Sequence, residues 1–158
     1  MAASKQLWSA LDAIATLIDD SSGQPLKNLG SGSIAVGADY DNTVAGTARR
    51  VYADLILHIE GASAFTTGDF MSIWFLQSID QGTSNYEDGD STPTTPARPP
   101  DVTIPVRAVG TQQNIMMRGV ILPASHFKPC FKNTGAVGLA NSAGVNYLKI
   151  QTYVLEAQ

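Results

Sequence analysis

Three carboxylates within four positions, Glu87, Asp88 and Asp90 in the stretch YEDGD, are the densest set of candidate ligands in the chain. Carboxylates around a glycine can enter a Ca²⁺ shell, which takes six to eight oxygens. The spacing departs from an EF-hand loop, and no glutamate follows where one would close it. A solvated loop therefore competes with a Ca²⁺ site at Glu87, Asp88 and Asp90, and no other cofactor is expected. Glycoside hydrolysis needs two carboxyl groups facing each other across a cleft, which loop neighbours such as Asp88 and Asp90 do not establish. The two histidines, His58 and His126, fall on a strand and at a strand start, and a general base needs a positioned partner. Cys130 follows His126 by four residues in HFKPCFK. On a strand that spacing gives the same face but a separation of ~13 Å, too far for a thiolate–imidazole pair. GSGS at 30–33 resembles a phosphate cradle, yet no Lys-Ser/Thr follows it and it leads into a strand. Neither Gly-x-Ser-x-Gly nor His-Glu-x-x-His occurs. The expectation is a protein without catalysis.

The elements that would carry such groups belong to a single domain of 158 residues, large enough to bury a core without covalent staples. Only 15% of residues are charged and 14 are glycine, which fits an all-β domain. A net charge of −4, with Arg49-Arg50 as the single adjacent basic pair, makes a poor phosphate binder, so no direct nucleic-acid partner is expected. The lone Cys130 leaves no intramolecular disulfide. The first 20 residues lack a continuous apolar h-region, being broken by Ser9, Asp12 and Thr16. No run approaches the ~18 apolar residues of a membrane span. Synthesis in a cytoplasm, without a cleaved signal and without a membrane partner, is the expectation.

Leu7, Leu11, Ile14 and Ile18 recur at helical spacing, and Ser9 with Asp12 resembles a capping box, so a short helix is predicted within 9–20. Residues 1–32 read as an N-terminal arm, and deletion of residues 1–20 is expected to leave the fold intact. From Ser33 the period changes to two. VYADLILHIE places Val51, Ala53, Leu55, Leu57 and Ile59 on one face, with His58 on the other. FMSIWFLQSI, 70–79, is apolar on both faces and predicts a central strand with Trp74 in the core. VTIPVRAV, 102–109, contains Pro105, which demotes the strand to an edge or marks a bulge. In NIMMRGVIL, 114–122, Gly119 is a candidate bulge. HFKPCFKN puts Phe127 and Phe131 on one face, and NYLKIQTYVLEA does the same for Leu148, Ile150, Thr152 and Val154. With a weak strand in 33–39, seven or eight strands joined by Gly/Pro/Asn turns predict a β-sandwich over 33–158. The long, uneven connections favour its two-sheet antiparallel jelly-roll form.

The longest connection, 80–101, is rich in proline: Gln81 to Val106 holds five of the chain's eight. A structureless loop of this length inside a compact domain is usually functional or disordered. Proline stiffens an extended chain, so the loop is suited to lying across a neighbouring subunit. Trp8 is either core or a partner anchor.

The order DNT (41–43), VYADLIL (51–57), YEDGD (86–90), RPP (98–100), RGVILP (118–123), KNTG (132–135) and NYLKIQTY (146–153) resembles small virion proteins of tailed bacteriophages, the jelly-roll head decoration or cement proteins and related minor structural proteins. The resemblance covers Ser33 to Tyr153. It implies a non-enzymatic protein on the capsid exterior that clamps coat subunits. The major capsid protein would be its partner, and it would assemble with itself, a homotrimer being favoured. Contacts are then expected from Trp8, Leu11 and Ile14 in the arm and from Tyr86, Asp88, Arg98 and Pro99 in the loop. A tail or fibre component, and a carbohydrate-binding module using Tyr86, Asp88 and Asp90, stand as alternatives.

Overall fold

The computed structural model describes residues 6–8, 12–20, 26–43, 50–87, 94–142, 144–153 and 155–157, with backbone alone for 6–8 and 155–157. Among the described residues there are ten strands: β1 Gln6–Trp8, β2 Ala15–Asp19, β3 Ile34–Val36, β4 Tyr52–Ile59, β5 Phe70–Gln77, β6 Val102–Pro105, β7 Gln113–Ile121, β8 Phe127–Asn133, β9 Tyr147–Tyr153 and β10 Leu155–Ala157. Eight of them form two antiparallel four-stranded sheets, ordered β2-β9-β4-β7 and β3-β8-β5-β6, and β1 pairs with β10. The pairings are nested. Inside β1–β10 lie β2–β9, then β3–β8, then β4–β7, then β5–β6. The chain thus runs as one folded-back ribbon rolled into a sandwich.

Period-two patterning sets the core. Ala53, Leu55, Leu57 and Ile59 of β4 are fully buried, as are Leu148 and Ile150 of β9. From the other sheet they meet Met71, Ile73, Phe75, Phe127 and Phe131. Each of these side chains larger than alanine contributes ~1.5–3 kcal/mol by leaving water. Phe75 and Phe127 meet edge to face at 5.0 Å. β6 is an edge strand, as Pro105 requires. The register between β4 and β7 shifts opposite Asp54, where Gly119 takes φ 69°. Gly119 is therefore the bulge that its position in the strand predicted. Val154 lies outside the described residues.

The helix expected within 9–20 is a correction: Ala15–Asp19 is strand β2, paired with β9, and the described residues contain no helix. A bulge between Thr16 and Ile18 puts the adjacent Leu17 and Ile18 both inside. That breaks the alternation by which a strand is recognised, while the spacing of Ile14 and Ile18 mimics a helix. Sheet pairing then overrides local periodicity. Leu26 and Leu29 also enter the core. The buried Asp20 carboxylate accepts bonds from the amides of Gly144, Val145 and Asn146 at 2.7–3.0 Å, fixing the turn into β9.

Candidate interaction surface

The described parts of the long connection after β5, 78–87 and 94–101, fold onto the outer face of the second sheet. The first part is a tight turn built around Asp80. That carboxylate accepts from the Ser78 hydroxyl, the Ser84 and Asn85 amides and the Asn85 side chain. These bonds hold its pKa well below the usual carboxylate range against the opposing effect of desolvation. Gln81 and Gly82 both take left-handed φ, 57° and 87°, to close the turn. The Ile79 amide bonds to the Asn85 carbonyl and Glu87 to Gln77, so the β5 ladder continues to Tyr86.

The second part, from Thr94 to Asp101, runs back along the sheet. Pro96 is buried. The Trp74 indole donates to the Arg98 carbonyl at 2.9 Å, and Lys132 donates to the Thr95 hydroxyl at 3.1 Å. Under this cover Trp74, Leu76, Tyr86 and Cys130 make a second apolar cluster. That is why 70–79 is apolar on both faces. Beyond Ile73, β6 no longer borders β5, and side chains replace the missing strand. The Phe75 amide donates to Asp101 at 2.7 Å, and Arg98 donates to the Phe75 carbonyl at 2.9 Å. Arg98 also pairs with Asp101 at 2.7 Å and Glu87 at 3.2 Å. The bond to Asp101, followed by the charges of Asp101 and Glu87, raises the guanidinium pKa.

Between this ionic cluster and β7 lies a groove of about 680 Å³. Phe75, Glu87, Arg98 and Asp101 line one side and Met117 to Pro123 the other. β7 is an edge strand of the first sheet, nine residues long, unpaired on its outer side among the described residues, with Met116 50% and Ile121 69% exposed. Arg118 and the bulge at Gly119 are devices that discourage indiscriminate pairing along such an edge.

At one end of the sandwich, His126 sits between two carboxylates. Its Nδ1 is 2.7 Å from Asp39 and its Nε2 3.2 Å from Asp41. The Tyr86 hydroxyl donates to the other Asp39 oxygen at 2.8 Å. The bond to Asp39 raises the imidazole pKa, opposed by desolvation and supported by the charges of Asp39 and Asp41. Asp41 accepts from the Thr43 hydroxyl and amide, which lower its own pKa.

The structure distributes the sequence-predicted contact residues over both sheets. Ile14 is exposed just before β2. Trp8 lies in β1, its backbone opposite Leu155. Tyr86 is buried in the second cluster, Arg98 is engaged as above, and Pro99 faces solvent. Leu11, Asp88 and Asp90 lie outside the described residues. Of the Ca²⁺ candidates, Glu87 directs a carboxylate oxygen to Arg98. Among the described residues no group of three or more His, Cys, Asp or Glu side chains is placed to hold a metal ion. His58 lies on the outward face but is covered: it stacks on Tyr147 at 4.8 Å and bonds to the Val145 carbonyl. Sequence reasoning did not single out Asp39, Asp41 or Asp101. The doublet Asp39-x-Asp41 was visible, but its partner His126 is brought to it only by the pairing of β3 with β8. No family model matches the chain, and no curated protein matches it in sequence.

Proposed function

We propose that the chain is a non-enzymatic structural protein of a virion, a decoration protein on the outside of a tailed-phage head that clamps coat subunits. The nested strand pairing carries this reading. Four successive antiparallel pairs, divided β2-β9-β4-β7 and β3-β8-β5-β6, make a two-sheet sandwich and support its reading as a jelly roll, an architecture found among viral capsid and lectin domains. A fold hosts many functions, and the ordered sequence motifs narrow the choice. The ionic clusters fit the same picture. Asp12 with Arg50, Glu87 and Asp101 with Arg98, and Asp39 and Asp41 with His126 each tie one segment to another. Such a body works through its surfaces. Modest contacts on several coat subunits sum through effective concentration, and self-assembly, favoured as a trimer, multiplies them. In this reading the exposed Ile14 and Pro99 touch partners, while Tyr86 and Arg98 hold the segments on either side of the loop.

The test mixes the purified full-length chain with heads of the encoding phage that lack it, sediments them and images the pellet. Copies at symmetry-related positions on the outer shell support the reading. A chain that stays in the supernatant at micromolar concentration, or one that decorates tails alone, overturns it.

A further inference from the structure

We propose that Asp39, His126 and Asp41 form a proton-controlled latch, which pins the β3–β4 connection to the start of β8 when the imidazole is charged and releases Asp41 when it loses a proton. The device belongs to the folded chain and stands apart from what the chain binds.

The geometry dictates which contact breaks. Both ring nitrogens face a carboxylate, Nδ1 at 2.7 Å from Asp39 and Nε2 at 3.2 Å from Asp41, so both contacts are satisfied only when both nitrogens carry a proton. The neutral ring has one N–H. The shorter contact, to Asp39, keeps it, because Asp39 is itself fixed by the Tyr86 hydroxyl. The proton leaves Nε2 for solvent, and a nitrogen lone pair then confronts the Asp41 carboxylate. Attraction turns to repulsion at that one contact.

Thr43, two residues along, donates to Asp41 through its amide and hydroxyl, but those bonds are local and do not tie Asp41 to β8. The β3–β4 connection brings Asp39 and Asp41. The turn after β5 brings Tyr86, bound to Asp39, and Asp80, occupied by its own turn. From β8, Lys128 stands over the Tyr86 ring at 4.1 Å. The residues before His126, Leu122 to Ser125, are uncharged. On either side of Asp41 the connection is held independently, by the Tyr40–Phe127 backbone pair and by the Asn42 amide, which donates to the Arg50 and Pro123 carbonyls, so the release is local to Asp41. The folded-state pKa lies above the ordinary 6.5. The contribution of the latch is therefore complete below 6.5 and is lost as pH rises through the folded-state value.

The experiment uses the full chain. NMR titration of the two histidines gives the His126 midpoint and tautomer. Amide exchange of residues 40–43, normalised to the intrinsic rate at each pH, gives the opening equilibrium. The expected result is a midpoint above 6.5, a neutral ring protonated on Nδ1, and a two- to fivefold rise in opening across the titration, an order of magnitude set by the worth of a partly exposed pair. Asp41 is exposed, so Asp41→Asn should fold as the parent does, and the pH step at 40–43 should vanish in it. A midpoint at or below 6.5, flat exchange across the titration, or an undiminished step in Asp41→Asn overturns the latch.

Discussion

Replacing Arg98 with alanine tests whether the proline-rich connection is a built part of the sandwich. The guanidinium makes three contacts, to Asp101 at 2.7 Å, the Phe75 carbonyl at 2.9 Å and Glu87 at 3.2 Å, with a third of the side chain exposed. The two carboxylate contacts are solvent-screened and worth ~0.2–1 kcal/mol each. The bond to Phe75 satisfies the open edge of β5, and losing it costs ~1–3 kcal/mol, lowered where water enters the groove. The sum after that discount is about 2 kcal/mol. Arg98→Lys keeps the charge without the planar fork, and half of that loss, about 1 kcal/mol, is expected. In urea, 2 kcal/mol moves the unfolding midpoint down by about 1 M at unchanged slope. The Trp74 indole, which donates to the Arg98 backbone, and the Phe75 amide should exchange faster than in the parent. An unmoved midpoint together with unmoved exchange at both sites would mean that the segment contributes nothing to the fold, and the lid described above would be wrong.

Asn133 is fully buried and donates to the Val137 carbonyl at 2.9 Å while accepting from the Gly135 amide at 3.0 Å. Asn133→Ala orphans both groups, and a loss of ~2–5 kcal/mol is expected in denaturant titration; a loss under 1 kcal/mol would show that water replaces the side chain. At Gly82, φ is +87° and an added Cβ would stand 2.6 Å from His126 Nδ1. Gly82→Ala should therefore cost ~1–3 kcal/mol, seen as a lowered melting temperature, and an unchanged melting temperature would refute the close approach. Deleting residues 1–20 removes β2 with its buried Leu17 and Ile18 and the Asp20 carboxylate. Loss of cooperative unfolding is expected, and a truncated chain that still unfolds cooperatively would show β2 to be dispensable.

Much of this architecture was legible because single residues announce their strand position. Ala53, Leu55, Leu57 and Ile59 recur at period two, Pro105 points to an edge or a bulge, and Gly119 marks a place where pairing slips. The apolar run 70–79 gave away a strand covered on both sides. Two things were hidden. In β2 a bulge put neighbouring residues on the same side, and no local pattern survives that. The ionic clusters join residues far apart in the chain, as His126 is from Asp39. Arg98 and Asp101 are close in sequence, but their task, standing in for a strand beside Phe75, is visible only once β6 is seen to stop short.

The rolled ribbon also constrains how the molecule comes into being. β5 and β6 are the closest partners along the chain, and each outer pair spans a longer loop, up to β2 with β9. Closure is thus expected to zip outward from the centre and to be slow, since distant pairings cost loop entropy before they return contact. On the ribosome, β2 emerges first among the strands of the two four-stranded sheets and waits for nearly the whole chain before its neighbour exists. During that interval the edge of β2 is unpaired, and β9 of another copy carries the same complementary edge, which is the route by which identical elements exchange between protomers.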